Sequence, residues 1–232
     1  MDNYLQWGSF PEIVFNQIHD NVKIELLNSY YESVVLKDCI VYNQIRDSRL
    51  FYKLLHFVLS NAGAPFHYNN LAKAVKSNEA TVRSYLNCAH RSYVIADICN
   101  FAFSLKEDAR PQHKVYGIDS GLINAVGFQF MDRSGMLLEN AVYNELVNNE
   151  YEEIFFVRQK GECDFVARKN GQWHAFQVCH TLTAFDRDRE FAGFNVLNAQ
   201  NFSFASKTLI TYDTNDRVDA VQVVPLWDFF GI

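Results

Sequence analysis

The sequence predicts a mixed fold, α+β with α/β character, in three segments. These are a helical N-terminal part (1–48), a small module of helices ending in two strands (49–118), and a mixed sheet flanked by helices (119–232). Three observations predict it. Apolar spacing is helical from Arg49 to about Ser92 and turns β-rich from Tyr93. After Gly135 the order reads helix, three strands, helix, strand. The charge also changes sign along the chain: residues 1–48 carry 3 basic and 7 acidic groups, 49–114 carry 9 and 4, and 115–232 carry 9 and 16.

Composition sets the outer bounds. The 232 residues are 49% hydrophobic and 15% aromatic with only 10 Gly and 4 Pro, which fits a packed chain and excludes a disordered one. The net charge of -6 excludes a protein that coats nucleic acid by overall charge. No apolar run approaches the roughly 18 residues of a membrane span, and Met1 to Phe10 lacks the basic and apolar regions of a signal peptide. A cytoplasmic location without membrane association is therefore expected. Cys39, Cys88, Cys99, Cys163 and Cys179 are odd in number with no C-x-x-C pair, so reduced thiols are expected rather than disulfides or a zinc ribbon.

In the basic middle, Leu50, Leu54, Phe57 and Val58 set one face of a helix over Arg49–Asn61, which Gly63 and Pro65 end. His67–Val75 reads as a second helix. Glu79–Ser92 reads as a third, with Val82, Tyr85, Leu86 and Ala89 inward and Ser77 or Asn78 as N-cap. Strands over Tyr93–Ser104 and His113–Ile118 complete a winged helix. In that arrangement the third helix enters the major groove. Thr81, Arg83 and Ser84 then face the bases, and Lys73, Lys76 and Arg91 lie near phosphates. A winged helix used for protein contacts is the open alternative.

The C-terminal segment carries the second candidate site. At about 100° per residue, Glu139 falls among Val142, Tyr143 and Leu146 on the apolar face of a helix over Met136–Asn148, with the Asn residues and Glu145 on the polar side. A carboxylate there is costly unless paired or metal-bound. Strands follow at Ile154–Arg158, Gly161–Ala167 and Gln172–His180, the last two joined by an Asn170-Gly171 turn. Alternation lets Asp164 share a face with Gln177 and Cys179. A helix over Asp186–Asn198 and strands at Lys207–Tyr212 and Ala220–Val224 complete the segment. The run Asp186 to Glu190 reads as a solvated, internally paired helix start.

A helix Glu, a strand Asp and two polar positions at i and i+2 of the next strand resemble the PD-(D/E)XK nuclease-like core. The resemblance implies a divalent metal, Mg²⁺ or Mn²⁺, that activates water beside the scissile phosphate, with a lysine supporting the developing charge. Glu139 matches the helix acid and Asp164 the central aspartate. Gln177 stands where the second acid belongs and offers only a neutral carbonyl ligand, and Cys179 stands where the lysine belongs and cannot supply a permanent positive charge. Lys160, Arg187 and Arg189 are candidates to supply the missing cation from elsewhere.

Six motifs occur in order: Trp7 to Val14 (WGSFPEIV), Tyr31 to Asp38 (YESVVLKD), Lys114 to Leu122 (KVYGIDSGL), Gly135 to Leu146 (GMLLENAVYNEL), Gly161 to Val166 (GECDFV) and Phe176 to Cys179 (FQVC). Together they resemble the C-terminal half of a group of bacterial and archaeal AAA+-type ATPases, in which a winged helix and a nuclease-like domain follow the ATPase. The resemblance implies that residues 1–48 are the tail or linker of an ATPase module. No Gly is followed by Lys, so the P-loop is absent and no ATP binding is expected of this chain alone.

These readings rank as follows. First comes a non-catalytic module that binds DNA or a partner and keeps a degenerate nuclease-like site. A metal-dependent nuclease with an altered site, using Glu139, Asp164 and the carbonyl of Val178 as ligands, comes second. A protein-interaction module that regulates an ATPase domain is third, with self-association as a further option.

Overall fold

The computed structural model describes residues 1–101, 111–127, 133–159, 161–198, 203–218 and 220–231. The chain divides into two compact units. One comprises residues 2–97 and 112–132, the other mainly 98–111 and 133–232. No helix among the described residues is long and apolar enough to cross a membrane. All five cysteines are free thiols, and burial pushes Cys39 and Cys88 above the usual thiol range, which keeps them protonated.

The first unit begins with α1 (Asp2–Trp7), α2 (Pro11–Phe15) and α3 (Asp20–Val34), the last running into a π-helical stretch, Val35–Val41. Then come α4 (Ser48–Ser60), α5 (Tyr68–Val75) and α6 (Glu79–Arg91). Strands β1 (Ile95–Cys99) and β2 (His113–Gly117) pair in a two-stranded sheet, and α7 (Ser120–Val126) follows. Positions 102–104, expected to end the first strand, lie outside the described residues.

Each helix of the basic module has a visible cause. Asp47 Oδ1 accepts the Leu50 N–H at 2.9 Å and starts α4, which buries Phe51, Leu54, Leu55, Val58 and Leu59. Lys76, in the left-handed region at φ 60, ends α5. Asn78 Oδ1 caps α6 by accepting the Thr81 N–H at 2.8 Å, and Val82, Leu86 and Ala89 are buried beneath it. Phe51 and Tyr85 meet edge to face at 5.4 Å and tie α4 to α6.

The N-terminal segment is held by α7, a helix the apolar periodicity did not announce. Four carbonyls at the end of a helix lack internal partners. Here Ser120 Oγ donates to Tyr4 O at 2.7 Å, and Asn124 Nδ2 donates to Leu5 O and Gln6 O at 3.0 and 2.9 Å. Gly8, at φ 76, turns the chain and donates its N–H to Tyr4 O at 2.9 Å. Asp119 then caps α7 through Leu122 N–H at 3.2 Å. Its other oxygen accepts the N–H and hydroxyl of Ser9 at 2.7 and 3.0 Å. Two of the motifs that carry the family resemblance therefore bind each other.

The second unit contains α8 (Ser134–Asn148), β3 (Glu153–Arg158), β4 (Glu162–Lys169), β5 (Gln172–Cys179), α9 (Ala184–Asn198), β6 (Ser206–Thr211), β7 (Asp216–Val218), β8 (Val221–Pro225) and α10 (Leu226–Phe229). The sheet order is β3-β4-β5-β6-β8-β7. β3, β4 and β5 are antiparallel, β5-β6 and β6-β8 are parallel, and β7 returns antiparallel at the edge. Asn170 and Gly171, at φ 52 and 75, make the two-residue turn between Lys169 and its partner Gln172. At the β3 edge the Asn100 side chain stands in for a strand partner, accepting the Arg158 N–H at 2.8 Å and donating to Arg158 O at 3.1 Å.

Helix α8 packs on β4 and β5, with Tyr143 against Phe165 at 6.3 Å. Alternation turns Val166 to the other face, where Phe194 and Leu197 of α9 close a core with Val157, Ala175, Leu209, Val221 and Val223. The single apolar stripe expected for α8 is corrected here. Asn140, expected on the polar side, is fully buried, whereas Glu139 is only half-buried. The helix is covered on several sides, so one projected face does not describe it.

His174 on β5 is half-buried between Tyr151 and Phe176, with Nδ1 2.8 Å from Ser206 Oγ. Burial, and then Lys169, hold its pKa below the usual histidine value. The unfolded chain thus takes up this proton more readily, so the His174 contribution is intact above about pH 6.5 and is lost as pH falls toward the folded pKa. Urea titrations between pH 7.5 and 5 are expected to show a shallower pH dependence for His174→Gln than for the wild type.

Candidate functional site

The β4–β5 ladder changes character at the position picked out by sequence. Phe165 pairs with Phe176. One step further, the strands are joined through side chains: the Asp164 N–H donates to Gln177 Oε1 at 3.2 Å, and the Val178 N–H donates to Asp164 Oδ2 at 2.9 Å. Asp164 and Gln177 are 8% and 7% exposed, so these polar groups need the partners they have.

The network continues into α9 through a residue that sequence reasoning assigned to solvent. Glu190 is 6% exposed. Its Oε2 accepts from Gln177 Nε2 at 2.9 Å, and its Oε1 accepts from Arg189 Nη2 at 2.7 Å. The internal pairing expected of the Asp186 to Glu190 run is present between Arg189 and Glu190, but the reading of the run as solvated is corrected at Glu190. Arg187 leaves the run to pair with Asp216 at 2.7 Å, and the Asp186 side chain lies outside the described residues. Gly193 brings α9 close, since a Cβ there would lie 2.6 Å from Glu162 O and 2.8 Å from Gln177 Oε1. A sequence signal for Glu190 did exist: it stands one helical turn before Gly193 and Phe194, on the stripe that leads to Leu197.

The other positions of the nuclease-like pattern fall as follows. Cys179 is buried beside Phe194 and Leu197, with Sγ 3.2 Å from Thr181 O, and behaves as a small core side chain. Of the residues considered as a substitute cation, Arg189 joins the network through Glu190, Arg187 does not, and Lys160 lies outside the described residues. Glu139 sits half-buried on α8. The donor set is a poor fit to a divalent metal. Gln177 spends its oxygen on a peptide N–H and its nitrogen on Glu190, and Glu190 has both oxygens engaged. Among the described residues no group of three or more His, Cys, Asp or Glu stands together as metal ligands.

The α6 surface is a separate site, in the other unit. Arg83, Ser84, Asn87, His90 and Arg91 are exposed, Thr81 is half-buried at the cap, and Lys73 and Lys76 are exposed at the end of α5. Arg83 is not a simple surface cation, because it pairs with Glu79 at 2.9 Å and lies over the Tyr68 ring at 3.9 Å.

Comparison with known families gives the chain its place. Residues 1–133 match the family described as Domain of unknown function (DUF8612), more than half of the chain. The chain belongs to the DUF8612 family. Residues 134–229 match a second, Domain of unknown function (DUF4143). An uncharacterized protein of Methanocaldococcus jannaschii is 24% identical over 245 residues, covering 98% of this chain and 54% of the relative. An uncharacterized protein of Haemophilus influenzae is 22% identical over 238 residues, covering 97% and 56%. The chain thus spans little more than half the length of the curated relatives it matches. No solved structure matches it.

Proposed function

We propose that this chain is a non-catalytic DNA-binding module of a larger ATPase-associated protein. In this reading residues 49–118 form a winged helix that lays α6 in the major groove, and the second unit, from residue 133 onward, forms a nuclease-like domain that has lost cleavage. The observation that carries the binding half is the outer face of α6. From Arg83 to Arg91 its exposed side chains are Arg83, Ser84, Asn87, His90 and Arg91, polar and without a carboxylate, and the exposed Glu79 one turn earlier is paired with Arg83. Arg and Asn are the side chains that read guanine and adenine edges, and Lys73, Lys76 and Arg91 suit the flanking phosphates.

The loss of cleavage rests on Gln177 and Cys179. The first is locked between Asp164 and Glu190, and the second is a core thiol where a lysine would be needed. The DUF4143 match and the resemblance to AAA+-type ATPases support membership of a longer protein.

A salt titration tests the binding half. Each phosphate contact contributes about -0.9 to the slope of log K against log salt. Wild-type protein is expected to bind a labelled random-sequence duplex with a steep slope. The triple variant Lys73→Ala, Lys76→Ala, Arg91→Ala is expected to bind about tenfold or more weaker near 0.1 M salt, with a visibly flatter slope. Equal slopes for the two proteins would remove these residues from the interface.

A second reading, protein partnering, is favoured by one observation. Phe15, Val41, Tyr42 and Tyr93 are 82%, 64%, 78% and 78% exposed. Surface apolar groups of that size in one unit suit a partner such as an ATPase domain or a second copy of the chain. Pull-down with an ATPase domain of a longer relative, comparing wild type with Phe15→Ser/Tyr42→Ser, separates this reading from the first.

A further inference from the structure

Arg83 is braced from two sides. Glu79, one turn earlier on α6, accepts its Nε–H at 2.9 Å, and the same carboxylate oxygen lies 2.9 Å from Nη2. The guanidinium carbon Cζ lies 3.9 Å over the centroid of Tyr68. Tyr68 is 7% exposed, and its hydroxyl donates to Asp97 Oδ2 at 2.5 Å. The other oxygen of Asp97 is 2.9 Å from His113 Nδ1, and the His113 ring meets Tyr68 edge to face at 4.5 Å. Groups from α5, β1 and β2 therefore fix the platform under a side chain of α6.

A long surface arginine ordinarily surrenders rotamer freedom when it binds, about 0.5–1.5 kcal/mol for such a side chain. Here that freedom is already spent in the folded protein. Glu79 engages the Nε–H and Nη2 through one oxygen and the Arg83 side chain is 51% exposed; each terminal nitrogen carries two N–H bonds, so the Nη1/Nη2 edge of the fork can still donate to a pair of acceptors. A planar fork presented in fixed orientation on a groove-facing helix suits the paired O6 and N7 acceptors of guanine. Lys73 and Lys76 are point charges on flexible stems and suit phosphates.

We propose that Arg83 is the guanine-reading residue of this interface, positioned by Glu79 and by the Tyr68–Asp97–His113 platform. The proposal rests on the reading of α6 as a groove-facing helix. Tyr68, Asp97 and His113 are positioning residues, acting through Arg83.

The test starts by selecting duplexes from a randomised pool with wild-type protein. Each G·C pair of the selected sequence is then replaced by A·T, and binding is measured by fluorescence anisotropy. At one G·C pair, replacement is expected to weaken wild-type binding about 10- to 100-fold. Arg83→Lys keeps the charge but not the fork, so it is expected to lose that discrimination, the selected and G·C-replaced duplexes then binding it within about threefold of each other. Tyr68→Phe keeps the ring but not the bond to Asp97, and is expected to lose part of it. Discrimination that survives in a folded Arg83→Lys variant overturns the assignment, as does a selected sequence with no sensitive G·C pair. Failure of wild type to bind any duplex in a salt-dependent way would instead overturn the reading of α6 itself.

Discussion

Gly121→Ala is expected to lower the stability of the N-terminal unit by about 3 kcal/mol or more, an effect at the severe end for one methyl group. A Cβ at Gly121 would overlap the carbonyl of Trp7 and lie 2.9 Å from Asp119 Oδ1. The obstacle is backbone at the end of α1, so rotation of a side chain cannot relieve it. Any retreat of α7 breaks the bonds from Ser120 and Asn124 to the carbonyls of Tyr4, Leu5 and Gln6. The bonds of Asp119 to Ser9 are strained in the same movement. Gly135→Ala is the control: nothing lies within 4 Å of a Cβ there, and alanine in a helix is worth up to about 1 kcal/mol over glycine. Thermal melts of the two variants should therefore move in opposite directions, Gly121→Ala down by many degrees and Gly135→Ala level or slightly up.

Gln177→Glu is expected to destabilise the second unit by about 2–4 kcal/mol at pH 7, although it brings back the acid of the nuclease pattern. The amide nitrogen of Gln177 is the donor that holds Glu190 Oε2 at 2.9 Å, and both side chains are less than a tenth exposed. A carboxylate in its place would set two buried negative charges against each other with no proton between them. Such a pair favours sharing a proton, which raises the carboxyl pKa in the folded state of the variant. The penalty is therefore full above that raised value and shrinks as pH falls toward the range of unfolded carboxyls. Urea midpoints at pH 7.5 and 5 should show the gap between variant and wild type narrowing at the lower pH. A gap that is unchanged or wider at pH 5 would mean that the Gln177–Glu190 bond does not carry the effect.

These two sites also mark where sequence reading succeeded and where it stopped. The helices of the basic module were legible from their apolar spacing, the Asn78 cap and the Gly63 and Pro65 breaks, but the face of α4 was misjudged: Phe57, expected inward, is exposed, and Phe51, Leu55 and Leu59 are buried beside Leu54 and Val58. The β4–β5 hairpin was legible from Asn170-Gly171, and with it the alignment of Asp164 with Gln177. Helix α7 was missed because it is seven residues long and is held by hydrogen bonds from Asp119, Ser120 and Asn124 rather than by an apolar stripe. β7 is three residues with Asp and Arg at its start, too short for alternation to show. Glu190 was misread because a dense run of charges hides which member points inward. The faint signal was its place one turn before Gly193 and Phe194, and the bond from Gln177 on β5 shows which way it points.

The proposed function requires the chain to hold duplex DNA without cutting it. The direct measurement is anisotropy of an end-labelled duplex titrated with wild-type protein in Mg²⁺ and again in Mn²⁺ across a range of salt, with the same samples then run on a denaturing gel. The account predicts binding that weakens steeply with salt and a labelled strand that remains full length. Strand cleavage that disappears in Asp164→Ala would contradict it, and would show that the Asp164–Gln177–Glu190 network opens to accept a metal.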